Sequence, residues 1–276
     1  MENPFEEAFI PLTSLVSGQG ISVVPDIYCF PVQFANVVMV GHPLEEGWVL
    51  IDAGTPRSAT SILTEAEYRF GKGVRPAAII LTHGHFDHVG AIVELVETWH
   101  APVYAHPAEL PYLTGQEDYP PADPSVGGGL VSRVSQWFPN ESIDLKGHVH
   151  ALPHDGIVPG LPDWIWIPTP GHTKGHISLY RPKDRVLIAG DAVTTVKQES
   201  VYAVFTQHKE LHGPPAYFTT DWQAAWESVK RIADLELSAL VTGHGLPMYE
   251  EDLRTALPAL ARHFSQEIPN HGRFVQ

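Results

Sequence analysis

Apolar positions along the chain follow two periods. Short apolar runs, each closed by glycine, proline or a small polar residue, read as buried strands: 48–54 (WVLIDAG), 76–84 (PAAIILTHG), 101–107 (APVYAHP), 164–172 (WIWIPTPGH), 176–180 (HISLY), 185–191 (RVLIAGD) and 238–245 (SALVTGHG). β-Branched and aromatic residues dominate them, as a pleated sheet prefers. Helical spacing appears at Ile92, Leu95, Val96 and Trp99, and again at Trp222, Ala225, Trp226, Val229, Ile232 and Ala233. Thr220 with Gln223 predicts a capping box at the start of the second helix. A third helix is expected over 249–267, broken or kinked at Pro258.

Between about 107 and 163 both periods dissolve into proline- and glycine-rich sequence, including LPYLTGQEDYPPADPSVGGGLVSRV. A long irregular insert in a compact chain points to a lid or pocket wall, with a mobile surface loop as the plain alternative. Strands and helices mix in both halves, so the pattern predicts an α/β fold.

Composition narrows the partners. At 276 residues, with 43% apolar and 18% charged positions, the chain can bury a sizeable core and is not a disordered one. A formal net charge of −15 with no dense Lys/Arg run argues against nucleic acid. One cysteine, Cys29, rules out an intrachain disulfide. The N-terminus, MENPFEEAFIPL, lacks the basic-then-apolar pattern of a signal peptide, and no apolar run reaches the roughly 20 residues of a membrane helix. The expectation is a soluble, cytoplasmic protein, monomer or homodimer, acting on a small molecule without membrane or nucleic-acid partners.

The chemistry sits where strands end. One apolar run delivers His83, His85, Asp87 and His88 within THGHFDH; others deliver His172, Asp191 and His244, each beside glycine. Five imidazoles and two carboxylates, with no thiolate, suit Zn²⁺, with iron or manganese as substitutes. Seven ligands exceed what one tetrahedral ion takes and fit two ions sharing a bridging carboxylate. Metal bonds would also make Asp87 and the histidines tolerable at the edge of the core. His148, His150 and His154 form another cluster, without a strand–glycine context, and His176 reads as a supporting or packing residue. Asp52, in LIDAG, reads as a hydrogen-bonded support near these loops.

Taken in order, Asp52, HGHFDH (83–88), His172 in PGHTKGH, Asp191 in AGD and His244 in TGHG resemble the motifs of the metallo-β-lactamase-fold hydrolase superfamily. The resemblance implies a single domain over 1–276 with a four-layer αβ/βα sandwich: two mixed sheets flanked by helices, metals at one edge. It implies that His83, His85 and His172 hold one ion, that Asp87, His88 and His244 hold the second, and that Asp191 bridges. A metal-bridging hydroxide would be the nucleophile, with Asp87 and Asp191 the catalytic carboxylates. Asp191 in its GD motif directs the resemblance towards lactonase and glyoxalase II-like branches and away from true β-lactamases. The short, balanced C-terminus disfavours an anionic glutathione thioester, for which Lys174, Lys197 or Lys209 would have to converge. The expected activity is therefore dinuclear zinc hydrolysis of an ester or lactone of a small, fairly neutral substrate. A thioesterase and a mononuclear iron dioxygenase are the alternatives. Phe86, Tyr112, Tyr119, Phe138 and Tyr202 are the candidate pocket residues; Tyr202 lies farther from Asp191 than the tyrosine that lactonases of the family place there.

Overall fold

The computed structural model describes residues 1–275 apart from 6, 7, 9 and 46. The chain divides into two compact units, Met1–Tyr119 with Pro139–Pro162, and Pro120–Phe138 with Asp163–Gln276.

The first unit contains β1 (Ile21–Val24), β2 (Ile27–Val32), β3 (Ala35–Val40), β4 (Val49–Ile51), α1 (Ala59–Phe70), β5 (Ala78–Ile80), α2 (Phe86–Val89), α3 (Ile92–Trp99), β6 (Val103–Ala105), α4 (Leu110–Leu113), β7 (Val149–Ala151) and β8 (Ile157–Val158). Its sheet runs β1 to β7 in chain order. The pairings from β1 to β4 are antiparallel and those from β4 to β7 parallel, so the sheet is mixed. Every residue of β4 and β5 is buried, which is why both read as continuous apolar runs rather than as alternation. Helices α1 and α3 bury Ile62, Ala66 and Phe70, and Ile92, Leu95, Val96 and Trp99. Trp48, just before β4, joins them to the sheet: its ring stacks on Phe70 at 4.4 Å and meets Trp99 edge-on at 5.4 Å. Such aromatic pairs contribute about 0.5–1.5 kcal/mol each beyond the area they bury.

The hairpin β2–β3 was not foreseen from the pattern. Its turn is the pair Gln33–Phe34, with Gln33 at φ 56°, and Pro31 stands inside β2 opposite Asn36. Neither the missing Asn-Gly turn nor a proline within a strand advertises a hairpin. The stretch expected to be irregular is also more ordered than its composition suggests, since β7 from that stretch pairs with β6.

The second unit holds α5 (Leu130–Val134), β9 (Leu161–Pro168), β10 (Ile177–Arg181), β11 (Val186–Ile188), α6 (Val201–Thr206), α7 (Trp222–Ala233), β12 (Ala239–Val241), β13 (Met248–Tyr249) and α8 (Glu250–His263). Within it the sheet order is β13-β12-β11-β10-β9, with β11 and β12 parallel and the other neighbours antiparallel. Helix α7 starts one residue later than a Thr220 cap requires. Asp221 is its N-cap, its carboxylate accepting from the Ala224 N–H at 2.9 Å. Asp is as good a cap as Thr or better, and here it follows Thr220 directly. Helix α8 runs through Pro258 without a break, its buried Leu253, Leu257 and Leu260 keeping one apolar face. The Trp226 indole N–H donates to the Ala261 carbonyl at 3.0 Å, tying α7 to α8. Both units are thus mixed sheets flanked by helices.

Candidate metal centre

In the first unit the ligand-bearing loop leaves β5 and enters α2 within a few residues. Asp52, directly after β4, holds it. Its Oδ1 accepts from the Thr82 N–H at 2.7 Å, and its Oδ2 from the Thr82 hydroxyl at 2.8 Å. The same Oδ2 lies 2.8 Å from His88 Nδ1. A carboxylate can only accept, so His88 carries its proton on Nδ1 and presents a bare Nε2. The Thr82 hydroxyl spends its hydrogen on Asp52, so the 3.1 Å contact with His83 Nδ1 has the histidine as donor. His83 therefore also presents Nε2. One carboxylate sets the tautomer of two histidines, which is the usual support for metal-binding imidazoles.

Close backbone approach shapes this loop. A Cβ on Gly90 would sit 2.2 Å from the Pro56 nitrogen, and a Cβ on Gly84 would sit 2.7 Å from the Tyr119 hydroxyl. The Gly84 N–H donates to Glu109 Oε2 at 3.1 Å and to the Tyr119 hydroxyl at 2.9 Å. The Tyr119 hydroxyl in turn donates to Glu109. Burial and the Glu109 carboxylate push the Tyr119 pKa well above that of a free phenol, so the hydroxyl keeps its proton.

In the second unit, three loops follow β9, β11 and β12. Gly171, at φ 135°, packs so tightly that a Cβ would sit 2.3 Å from the Ala225 nitrogen of α7. His172 follows it. Asp191 Oδ2 lies 3.1 Å from His244 Nε2 and 3.5 Å from His172 Nε2. Ligand atoms on a tetrahedral ion about 2 Å away stand roughly 3.3 Å apart, so these spacings suit atoms that share a cation. His176 is not free to join them. Its Nε2 accepts from the Asp191 backbone N–H at 2.9 Å, which leaves Nδ1–H to donate to Thr169 Oγ1 at 2.9 Å. Thr169 then meets Ser178, and Ser178 donates to the Ala189 carbonyl. The residue read from the sequence as supporting fixes the backbone of Asp191.

All seven expected ligands are buried, from 0% exposure at His83 and His88 to 7% at Asp87. Each unit supplies its own group of ligands: His83, His85, Asp87 and His88 on one loop of the first, and His172, Asp191 and His244 after β9, β11 and β12 in the second. The donor set and spacing fit divalent cations. Among the described residues, the groups include none of His148, His150 and His154, which stay exposed.

The candidate pocket residues are placed unequally. Phe86 is 2% exposed, its ring 6.5 Å from Phe34. Tyr112 stacks on Tyr119 at 4.0 Å, and Tyr119 packs on His85 at 4.5 Å. Phe138 lies against Tyr217 and Phe218, and Phe218 is 6.5 Å from His172. Tyr202, on α6, is 74% exposed. Thr82, Thr169 and Glu109 went unnoticed in the sequence. Thr82 directly precedes the histidine motif, which was a usable signal; the others lie 3 and 21 residues from the nearest ligand, out of reach of pattern reading.

A sequence model of the metallo-beta-lactamase superfamily matches residues 31–244. The chain is 54% identical over 260 residues to the probable metallo-hydrolase YflN of Bacillus subtilis (strain 168), covering 94% of this chain and 98% of YflN. It superimposes on the crystal structure of the B3 metallo-beta-lactamase BLEG-1 with a TM-score of 0.60 at 24% identity, covering 88% of this chain and 98% of that one. TTHA1623, solved in a di-iron-bound form, is similar at 27% identity and a TM-score of 0.51, over 86% of this chain and 97% of that one. By the extent of these matches, the chain belongs to the metallo-beta-lactamase superfamily.

Proposed function

We propose that the chain is a dinuclear metal-dependent hydrolase that cleaves an ester or lactone bond of a small, fairly neutral substrate, with zinc as its metal. One observation carries the reading. Within the second unit, Asp191 Oδ2 stands 3.1 Å from His244 Nε2 and 3.5 Å from His172 Nε2, the two histidines that the family resemblance assigns to different ions. That is the pattern of two ligand sets joined by a bridging carboxylate. His83, His85 and His172 would hold one ion, and Asp87, His88 and His244 the other. Bound there, two cations lower the pKa of a coordinated water towards neutrality and polarise a substrate carbonyl.

The chain's own residues do the rest. Asp52 and Thr82 keep the His83 and His88 Nε2 atoms bare, and His176 steadies Asp191. Asp87, the most exposed of the seven at 7%, is placed to accept a proton from an attacking water. In the first unit Tyr112 packs on Tyr119 beside His85, and in the second Phe138 packs on Phe218 beside His172; each set would offer a substrate an apolar surface. The name of YflN, a probable metallo-hydrolase, agrees with hydrolysis. A neutral substrate fits the basic residues: Lys209 is paired with Asp252 at 3.1 Å, and Lys174 and Lys197 are exposed. The di-iron form of TTHA1623 favours a second reading of the metal, with iron in place of zinc.

The test is metal content by mass spectrometry on protein purified without added metal, together with a homoserine lactone, an aryl ester, a glutathione thioester and a β-lactam as substrates. The expected result is about two zinc ions per chain and turnover of the ester or lactone, lost in Asp191→Ala. Two irons with the same turnover would change the metal and keep the reaction. A preference for the thioester would move the substrate class, and a single iron with an inert panel would overturn hydrolysis.

A further inference from the structure

Glu109 and Tyr119 form a buried polar pair that the reaction as described does not use. Glu109 is 0% exposed and Tyr119 is 4% exposed. A carboxylate with no access to water must be hydrogen-bonded, and here its partners include the Tyr119 hydroxyl and the Gly84 N–H. Gly84 is the one residue between His83 and His85. Its N–H is shared by both acceptors, and the absence of a Cβ is what lets the Tyr119 hydroxyl approach. The Tyr119 ring then covers His85 on one side while Tyr112 stacks on the tyrosine at 4.0 Å.

From this geometry we propose that Glu109 and Tyr119 are positioning residues for one of the two metal ions. They clamp the Gly84 peptide and the His85 ring so that His83 and His85 converge on the ion they share with His172. The inference rests on the metal reading above. Asp52 sets the proton positions of His83 and His88; the Glu109–Tyr119 pair sets the spacing of His83 and His85. Loss of the clamp weakens the ion of His83, His85 and His172 and leaves the ion of Asp87, His88 and His244 much as it was. A charge-assisted hydrogen bond to the backbone is strong enough for that role, and supporting contacts of this kind typically change metal affinity about 10–100-fold.

The test uses metal-free full-length protein titrated with zinc in competition with a chromophoric chelator, so that two binding steps are read without reference to activity. Tyr119→Phe and Glu109→Leu are each expected to weaken one step about 10–100-fold and to leave the other unchanged. Glu109→Gln, which keeps an oxygen acceptor for Gly84, should recover most of the loss. A merely structural pair would lower the unfolding midpoint of the metal-free protein and leave both zinc affinities alone, and that result overturns the proposal. Should Glu109→Leu fail to fold, Tyr119→Phe, which removes a single oxygen, decides by itself. Failure of the unmodified chain to take up zinc or iron would overturn the metal reading and this inference with it, whereas two intact sites in unmodified protein and variants alike would sink only the inference.

Discussion

At Asp52 one carboxylate takes three hydrogen bonds, from the Thr82 N–H, the Thr82 hydroxyl and His88 Nδ1. It does so at φ 59°, a left-handed conformation that Asp tolerates better than most residues. Asp52→Asn replaces one acceptor oxygen by an NH₂ group facing a donor. A buried clash of this kind costs about 1–3 kcal/mol, measurable as a lower urea midpoint in the metal-free protein. Metal affinity should fall about 10–100-fold as well, because His88 loses its tautomer control. An unchanged midpoint with unchanged zinc affinity would show that the network is incidental. At this scale much of the site was readable, since histidine and aspartate are rare choices at strand ends and their spacing was tight. The partners were not readable. Glu109 reaches Gly84 from 25 positions away, and nothing local to PAEL announces a buried carboxylate.

Elements aim these side chains through their ends. The β9–β10 connection places His172 because Gly171 presses against the first turns of α7, where its carbonyl accepts from the Thr220 and Asp221 N–H groups. Gly171→Ala puts a methyl 2.3 Å from a backbone nitrogen at a φ that alanine avoids. The expected outcome is a loss of about 1–3 kcal/mol or more in stability together with weaker metal binding, because the loop must shift. Asp221→Ala separates the two effects. It should cost about 1 kcal/mol for the lost cap and leave metal content intact. Equal loss of metal in both variants would mean that α7, rather than the loop, positions His172. The seven strands expected from apolar runs are all present; in β4, β5, β11 and β12 full burial removes polar residues from the strand's sequence. Hairpin β2–β3 escaped because its turn and its proline carry contrary local signals.

Whole-molecule behaviour adds the ion pairs of the C-terminal segment. Burial works to lower the His212 pKa, but Glu267 and Glu210 outweigh it and the value is raised above 6.5. Burial works to raise the Glu267 pKa, and His212, the Gly213 N–H and Lys197 outweigh it, holding the value below 4.5. A raised histidine stabilises fully below its unfolded value and loses this as pH rises through the folded value. A lowered glutamate stabilises above its unfolded value and loses this as pH falls through the folded one. Both contributions are therefore present between about pH 4.5 and 6.5. The stability gap between the unmodified protein and His212→Gln should be widest there and should narrow towards pH 8. A constant gap across that range would remove the pair from the account. Chelation is the second test at this scale. Metal that binds only the folded chain adds stability, so chelator treatment should lower Tm and zinc should restore it. Cys29, fully buried with its thiol pushed up to about 12, should stay unreactive towards thiol reagents in the native state and report global unfolding. Among the described residues no helix is long and apolar enough to cross a membrane.

Fold class, the strand inventory of the parallel regions, the identity of seven candidate ligands and the expected metal all followed from local order in the chain. Each depends on residue type and on spacing within about ten positions, where backbone period alone says which side chains share an edge. The partners that orient those ligands arose from contacts between distant segments: Asp52 with His88, His176 with Asp191, Glu109 and Tyr119 with Gly84. A hydrogen bond needs its atoms within a few tenths of an ångström, and no periodicity along a chain carries that precision between residues 15 to 36 positions apart. Packing supplies it, by bringing strand ends and glycine-lined turns into contact.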